Sequence, residues 1–513
     1  MADVTAAPEL RRRSIRAGWR AGRAVVTALV SVGLGACSLT DGKLPPVPLP
    51  TASTVQPLTV MSTDPIRGAD PAAVTDAGSA VLSLNVFQRL MSAEPGEGAL
   101  KPDAARDCLF TSATTYTCTL NKELFFHNGD PLTAADVKFS VERAARLDVP
   151  GSSAPLLSSL RRIETPDPFT IRFLLSRVDT QFGWALASPS ASIVNRKLYD
   201  ADEVRPSSEP IVGSGPFAVI SLTDDVLRLA RYEDYVGRNP AGSAVVIYRT
   251  ARDSASIEEA MRRRQVDVVW RGLSQAAITR FLQQAGQSSD EKTADGYVLE
   301  SEVGVRVRQL VWAPRSSKRG NQALRQAVEA ALQTDRTLDS IVPGGVDGHV
   351  RSFPTGGRGK PKVGWSGRVP INLSYDSSAP DARDVATQIR TRLEDTGGIS
   401  VQVRPNLASA DLMVVDRKAW TATAVAWLQP YLEAPLPESR ATLTRLERQY
   451  RAATSEAEGN RLLSALQRRA AVDRVVLPVS QTDEYLFVAE GADISESSFG
   501  PGWQLGLFGM QNA

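Results

Sequence analysis

The chain has 513 residues with 59 basic and 57 acidic side chains, a formal net charge of +2, three cysteines and two histidines. This length is too great for one hydrophobic core, so two or three lobes are expected. The near-neutral charge argues against a nucleic-acid-binding protein, which needs a dense face of lysine and arginine. The two isolated histidines, His127 and His349, argue against a metal centre and against a Ser-His-Asp triad.

The N-terminus has the parts of a secretory signal. Six arginines precede an apolar run over residues 24–36, and Cys37 follows at once. This run is shorter than the roughly twenty apolar residues that a spanning helix needs, so residues 1–36 are predicted to be a signal peptide. The end LGAC (34–37) resembles the bacterial lipobox, whose cysteine is lipidated and becomes the mature N-terminus. The resemblance implies an exported protein anchored to the outer face of the cell membrane by lipidated Cys37.

Two alternatives remain open at this end of the chain. An ordinary signal peptide with an incidental cysteine is the alternative to lipidation. Arg12-Arg13 leaves the twin-arginine export route open beside the general secretory route. The first 36 residues carry six arginines and two acids, so the remainder of the chain has a formal charge of about −2.

Ordered structure is expected from Leu58, after a tether over residues 37–57 that is rich in Pro, Ser and Thr. From there strand and helix patterns alternate, which is typical of mixed α/β lobes. Strands are predicted at LTVMS (58–62), YTCTLNKELFF (116–126), TIRFLLSRV (170–178), SAVVIYRT (243–250), VRVRQLVWAP (305–314), PINLSYD (370–376), ISVQVRP (399–405), ADLMVV (410–415) and RVVLPVSQTDEYLFVA (474–489). An amphipathic segment is predicted at 81–91, and helices at 131–147, within 255–270, at 321–338, at 382–396 and twice within 436–472.

The helix over 131–147 carries its own start signal. Thr133 is placed as the N-cap and Asp136 at the third helical position, which predicts a capping box. Before it, Asn128-Gly129 is a strong signal for a tight turn. His127 is therefore interpreted as a side chain at the end of a strand rather than as a ligand.

Cys108 and Cys118 flank a segment that alternates like two strands joined by a turn. Their sulfur atoms are then able to face each other across a hairpin, and an oxidising compartment favours a disulfide. Two buried thiols are the alternative. Without a nearby histidine the two cysteines do not predict a zinc site.

Several of these segments, in this order, resemble family 5 of the extracellular solute-binding proteins, the receptors of peptide and nickel ABC importers. The strongest part is YTCTLNKELFFHNGDPLTAADVKFSVERA (116–144), which is similar to the family's strand, FHDG-like turn and PLTAxDV helix start. VGSGPFAV (212–219) is similar to the family's GTGPF/Y loop, and RYEDYVG (231–237) to its RNxxYW segment. The resemblance covers about Leu58 to Val488 and suggests a lipoprotein from an actinobacterium.

The resemblance implies an α/β periplasmic-binding-protein-like fold of type II, of the large cluster-C kind. Two lobes would close over a ligand around a hinge. The expected divisions are a signal peptide (1–36), a lipidated tether (37–57), lobe I (58–80), an inserted subdomain (81–207), the second part of lobe I (208–304), a trimmed lobe II (305–472) and the return to lobe I with the tail (473–513).

The chain departs from the family where the ligand is normally held. Peptide receptors of this type carry a GWxADYxDP-like stretch whose aspartate binds the ligand's α-ammonium. The corresponding stretch, 416–435, has Trp420 and Trp427, and no aspartate follows either one. Asp416 and Glu433 are the nearby carboxylates. These four residues are the candidate ligand-binding residues.

Two functions from different classes follow from this departure. In the first, the protein is the monomeric receptor of an ABC importer for a peptide or related small solute, with permease and ATPase subunits as partners. In the second, it has the receptor fold without a transport role and acts in assembly or regulation of cell-envelope glycolipid. An open cleft with ligand affinity would favour the first, and a closed, filled cleft with an exposed apolar patch the second. Neither function implies catalysis, a cofactor or a metal.

Overall fold

The computed structural model describes residues 56–93, 99–357, 363–379, 381–421, 423–502 and 504–512, without the side chains of residues 303 and 305. The signal peptide, Cys37 and the tether up to residue 55 lie outside the described residues. Within the described part, no helix is long and apolar enough to cross a membrane.

Strands and helices alternate along the described chain. The strands are β1 (Leu58–Ser62), β2 (Met91–Ala93), β3 (Leu100–Pro102), β4 (Ala105–Ser112), β5 (Thr115–Leu120), β6 (Leu160–Glu164), β7 (Thr170–Leu175), β8 (Phe217–Leu222), β9 (Val226–Arg231), β10 (Val245–Thr250), β11 (Val268–Trp270), β12 (Tyr297–Trp312), β13 (Val369–Tyr375), β14 (Ile399–Pro405), β15 (Leu412–Arg417), β16 (Val476–Ala489), β17 (Ala492–Ile494) and β18 (Met510–Asn512). The helices are α1 (Ala77–Val86), α2 (Ala134–Leu147), α3 (Phe182–Ala185), α4 (Ser254–Arg262), α5 (Gln275–Gln287), α6 (Gln322–Leu332), α7 (Ala382–Glu394), α8 (Ala424–Glu433), α9 (Pro437–Ala452) and α10 (Glu456–Asp473).

Ten strands form one sheet in the order β14-β13-β15-β12-β16-β11-β1-β10-β9-β8. At its centre β12 and β16 pair antiparallel from Tyr297↔Ala489 to Val311↔Val476. β11 adds to one end of β16, and β15 adds to the far end of β12. The long central pair therefore connects two half-sheets, as expected for two lobes that share a hinge.

Separate hydrophobic cores lie on the two half-sheets. One core, with members from Val307 to Leu477, packs α6, α7 and α8 to α10 against β12 to β15. Two further cores cover the faces of the sheet around β1 and β11. A fourth core fills the part built on the four-stranded sheet β4-β5-β7-β6 and on α2.

Several predictions made from local pattern are confirmed. β13, α7 and β14 form the expected β-α-β unit with parallel strands. α2 starts with a capping box in which the Thr133 and Asp136 side chains bond each other's backbone. Gly129 has φ +82°, the conformation that the Asn-Gly turn requires.

Other segments differ from the prediction, each for a physical reason. The amphipathic segment 81–91 is not one element, because α1 already begins at Ala77, with Asp76 as its N-cap, and the chain turns extended at Phe87. Residues 424–433, for which no element was predicted, form the helix α8, and it contains Pro430. In the loop that resembles the family's GTGPF/Y segment, a Cβ on Gly213 would lie 1.8 Å from the Val86 carbonyl oxygen, so the glycine allows two backbones to approach.

Cys108 and Cys118 face each other across the β4–β5 pair and are joined by a disulfide. Cys118 is fully buried in the core of this part of the chain. The link fixes β4, which is the edge strand of the four-stranded sheet, to its neighbour.

Candidate functional site

The two half-sheets direct their strand ends toward the middle of the β12–β16 pair. β11 ends at Trp270, opposite Leu486 of β16. β15 ends at Arg417, opposite Val307 of β12. Ligands of open α/β sheets bind outside the carboxyl ends of strands, so this meeting point is the expected binding position. We call it the charged junction; it comprises Asp64, Arg271, Glu302, Arg306, Asp416, Lys418 and Glu484.

Asp416 is the acidic centre of the charged junction. Its carboxylate accepts bonds from Arg306 Nε at 2.8 and 3.0 Å, and Arg271 Nη2 lies 3.6 Å away. Burial by itself raises the pKa of Asp416, but the guanidinium groups of Arg306 and Arg271 outweigh it and lower that pKa to about 2. Asp416 is therefore ionised and already paired.

Arg271 links the two half-sheets electrostatically. It follows β11, and its Nε donates to Asp64 Oδ2 at 2.7 Å, directly after β1. The same side chain reaches Asp416 at the end of β15. Arg271 has φ +49°, a conformation that non-glycine residues rarely adopt and that is concentrated at functional sites.

Lys418 forms the second half of the charged junction. Its Nζ donates to Glu302 Oε2 at 2.9 Å and to the carboxylate of Glu484, both on the central strands. Burial lowers the pKa of Lys418, but Glu484 and Glu302 raise it further, so the net shift is upward. Trp270 Nε1 donates to the other oxygen of Glu484 at 2.5 Å. The lysine is thus held charged by two carboxylates.

Two arginines beside the charged junction lack such partners. Arg417 makes no hydrogen bond or ion pair with the described residues, and its Nε is buried. Burial lowers the pKa of Arg417 to about 10, while the charge of Glu433 opposes this shift. Burial also lowers the pKa of Arg308, and the charge of Asp416 opposes this shift. Arg308 lies opposite Asp416 in the β12–β15 pair and shares its face of the sheet, whereas Arg417 lies opposite Val307 on the other face. Around Asp416, three arginines (Arg271, Arg306 and Arg308) therefore face two carboxylates, Asp416 and Asp64.

Further contacts hold the two halves together around the charged junction. Thr63 Oγ1 donates to the Ser378 carbonyl at 3.1 Å, and the Gln275 amide donates to Asp381 Oδ2 at 2.6 Å. The Thr180 amide donates to the carbonyl of Arg451 at 2.7 Å. The first two bonds join segments that follow β1 and β11 to segments that follow β13, and the third joins the loop after β7 to the end of α9, so the described state is closed.

A small cavity borders the charged junction. It measures about 20 Å³ and lies beside Arg271, Arg306 and Glu484, with apolar walls from β11 and β16. A pocket that encloses a drug-sized ligand measures roughly 300–1,000 Å³. This cavity is therefore too small for a solute the size of a dipeptide.

The four candidate ligand residues lie in different surroundings. Asp416 is in the charged junction. Trp427 is buried in the core of the half that contains α8. Trp420 is half-buried and packs against the core around the four-stranded sheet, with its ring beside Gly502. Glu433 is exposed at the end of α8 and accepts a bond from Gln429 Nε2 at 3.1 Å.

Sequence reasoning missed Arg271, Arg306, Arg417 and Lys418. Each stands inside or directly after an apolar strand pattern, and a charged residue at such a place is the available signal. Their partners are distant along the chain: Arg306 and Asp416 are 110 residues apart. In the family stretch GWxADYxDP the first aspartate stands three residues after the tryptophan. The equivalent position after Trp420 is Thr423, which bonds Thr421 at 3.1 Å and supplies no negative charge.

Neither histidine has a catalytic or metal-ligating neighbourhood. His127 Nε2 lies 3.0 Å from the Gly215 carbonyl, and its Nδ1 accepts from the Gly213 amide at 3.2 Å. Burial lowers the pKa of His127 to about 4, so the ring is neutral. His349 pairs with Asp339 at 3.2 Å. Within the described ranges, no cluster of three or more potential metal ligands occurs.

Known proteins share this fold and part of this sequence. Residues 99–363, just over half of the chain, match the family described as bacterial extracellular solute-binding proteins, family 5. The probable ABC transporter periplasmic-binding protein SapA of Escherichia coli is 24% identical over 286 residues, which is 51% of this chain and 50% of that protein.

Solved structures agree in fold over most of the chain. The binding protein AgaA of A. tumefaciens R10, in complex with agropinic acid, superposes with a TM-score of 0.75 at 20% identity and covers 89% of this chain and 99% of that one. The dipeptide-binding protein of Pseudoalteromonas sp. SM9913, in complex with Met-Leu, has a TM-score of 0.73 at 16% identity, with 89% and 100% covered. Curated relatives such as SapA are matched over half of their length or less. The chain belongs to family 5 of the bacterial extracellular solute-binding proteins.

Proposed function

We propose that this protein is the extracytoplasmic receptor of an ABC importer, anchored to the membrane through lipidated Cys37. It binds a peptide or a related small solute and presents it to a permease driven by an ATPase. Family membership supports a solute-binding role. The names of SapA, an ABC transporter component, and of the dipeptide-binding protein support the importer and the ligand class.

The observation that carries this proposal is the position of the charged junction. It lies where strand ends of both half-sheets converge on the β12–β16 pair, which is where a hinge would act. Rotation about the central strands would separate Arg271 from Asp416 and uncover the charged side chains. A solute that replaces these contacts on closure would gain their electrostatic energy away from water.

The charges of the charged junction restrict the solute. An ordinary peptide needs a carboxylate for its ammonium group, and Asp416 is already paired with Arg306 and Arg271. A carboxylate on the solute would instead find Arg308, which shares the face of Asp416, makes no side-chain hydrogen bond with the described residues and suits bidentate binding. The preferred solute is therefore acidic or blocked at its amino end. A free amine would have to compete for Asp416 or Glu433.

Titration calorimetry against peptide pools tests this assignment. The protein is expected to bind acidic or N-acetylated peptides, and free-amine di- to pentapeptides about two orders of magnitude more weakly, because a buried unpaired ammonium costs several kcal/mol. Arg308→Gln should abolish the acidic preference. Arg404→Gln, on the exposed side of neighbouring β14, is the matched control. Sub-micromolar binding of free-amine peptides that survives Asp416→Ala and Glu433→Ala would contradict the proposed site.

A second function is favoured by one observation, the closed and filled state of the charged junction. A receptor-fold lipoprotein without a transport role, acting in cell-envelope glycolipid assembly or regulation, needs no opening. If the gently purified protein carries no solute, and titration calorimetry detects no binding from any peptide pool, this second function replaces the first.

A further inference from the structure

A buried ion pair outside the charged junction joins two parts of the molecule. Arg451 Nη1 lies 3.3 and 3.4 Å from the two carboxylate oxygens of Asp179, 272 positions away along the chain. The side chains of Arg451 and Asp179 are 2% and 0% exposed. Asp179 belongs to the loop between β7 and α3, and Arg451 to the last turn of α9. The pair therefore connects the part built on the four-stranded sheet to the half that contains α9.

Each partner of this pair is fixed by its own element. Asp179 Oδ1 accepts the Gln181 backbone amide at 3.1 Å, so the loop holds the carboxylate in place. Arg451 Nε donates to Glu447 Oε1 at 3.0 Å, one turn earlier on α9. A basic side chain in the last turn of a helix also interacts favourably with the helix dipole. The two charges are thus presented to each other by elements that pack in different hydrophobic cores.

A backbone hydrogen bond lies beside the ion pair. The Thr180 amide donates to the Arg451 carbonyl at 2.7 Å. The last four carbonyls of a helix have no partner inside that helix, so this bond supplies the end of α9 with a donor from the other part of the molecule. We call Asp179, Thr180 and Arg451 together the α9 contact.

The ion pair of the α9 contact is less completely bonded than another buried ion pair of this protein. Arg451 Nη2 is buried and makes no hydrogen bond with the described residues. In the pair of Arg143 with Asp70, both terminal guanidinium nitrogens bond the carboxylate. A buried ion pair recovers its cost of desolvation only when its remaining donors are also satisfied. The α9 contact is therefore suited to separate and re-form, because both charges regain water when it opens.

Opening of the molecule would break the α9 contact. The part that carries Asp179 is attached to the half that contains β1, because the chain enters it after Val86 and returns at Gly215, whose amide donates to the Val86 carbonyl at 2.9 Å. α9 instead packs in the core of the other half. A rotation about the β12–β16 pair that separates the two halves must therefore pull Arg451 away from Asp179.

We propose that the α9 contact is a latch that holds the two halves closed when no solute is bound. With both charges present, closure buries a compensated pair. With one charge removed, closure buries an uncompensated charge, which is strongly unfavourable. The latch acts at a different place from the charged junction and needs no solute. Its effect on solute uptake, a slower association because the open state is less populated, rests on the proposed function.

Hydrogen–deuterium exchange of the solute-free protein tests the latch. Asp179→Asn keeps the size of the side chain and removes its charge, so the open state should be more populated. The backbone segment that contains Thr180 should then exchange at least about tenfold faster than in wild type. Small-angle scattering should show a larger radius of gyration. Arg448→Gln, exposed on α9 and three residues before Arg451, is the matched control and should change neither quantity.

A second variant distinguishes a latch from a residue that only packs α9. Arg451→Met leaves the Asp179 carboxylate buried without its cation, so it should also open the molecule. Adding Asp179→Asn removes that charge, and the double variant should therefore be more closed than Arg451→Met. Wild-type exchange and an unchanged radius of gyration in Asp179→Asn would overturn the proposal, and so would a double variant more open than Arg451→Met. None of these results depends on whether a solute is found.

Discussion

Two buried ion-pair systems in this protein are built on opposite principles. Arg143 of α2 binds both oxygens of Asp70, and its remaining donors reach the carbonyls of Asp200 and Glu203. Both partners are 1% exposed. Around Asp416 in the charged junction, three arginines face two carboxylates, and Arg308 has no bonded partner among the described residues. A fully satisfied pair fixes one structure, whereas leftover charge marks a place prepared for a ligand.

Breaking the satisfied pair should have the largest effect. Arg143→Met leaves Asp70 buried without its cation and should lower the free energy of unfolding by about 3–5 kcal/mol. Arg146→Gln, one turn further along α2 with an exposed partner, should cost less than about 1 kcal/mol. Chemical unfolding of both variants measures the difference. Equal losses would show that burial does not distinguish the two pairs.

Removing the negative charge of Asp416 in the charged junction should lower the free energy of unfolding by less than the loss of Arg143 does, and should also make the molecule more open. Asp416→Asn leaves Arg306 and Arg271 facing each other, so we expect a loss of about 2–3 kcal/mol and a more open molecule. Small-angle scattering should show a larger radius of gyration. Asp384→Asn, exposed on α7, serves as the control. A radius of gyration identical to that of wild type would mean that Asp416 does not hold the two halves closed.

Low pH should protonate Asp416 and remove its contribution to the free energy of unfolding. The pKa of Asp416 is about 2 in the folded protein and about 3.9 in an unfolded chain, so its contribution is present above about pH 4 and is lost as the pH falls toward 2. The stability difference between wild type and Asp416→Asn should therefore shrink over this window, by about 2 kcal/mol. Unfolding curves at pH 5, 3 and 2 test it. A difference that stays constant would mean that the carboxylate is not preferentially ionised in the fold.

Removing the arginine that has no bonded partner should have the smallest effect on the free energy of unfolding. Arg308→Gln deletes a half-buried cation that gains no bonded partner, so the free energy of unfolding should change by less than about 1 kcal/mol, in either direction. The same unfolding assay applies. A loss as large as that of Arg143→Met would reveal a structural partner and would remove the reason to regard Arg308 as a ligand group.

Local pattern was sufficient for much of the fold. The β-α-β unit from β13 to β14 follows from alternation and helical periodicity, and the start of α2 follows from Thr133 and Asp136. Family resemblance added the lobes and the hinge, which periodicity does not contain. α8 was missed because its Trp-rich stretch was interpreted through the family's pocket, and because Pro430 argues against a helix.

Only part of the candidate site could be predicted from the sequence. Asp416 was named because it stands beside the family's ligand stretch. Its partners Arg306 and Arg271 were not, because pairing between residues more than a hundred positions apart depends on the order of strands in the sheet. The Trp427 ring, a candidate from the family resemblance, packs in a core because α8 turns that face inward.

Native mass spectrometry of gently purified soluble protein tests the central claim most directly. We predict a co-purifying small molecule with an acidic group, retained in Arg404→Gln and lost in Arg308→Gln. A protein that carries no such molecule and binds none from acidic or N-blocked pools would contradict a solute site at the charged junction. Retention of the molecule in Arg308→Gln would contradict it equally.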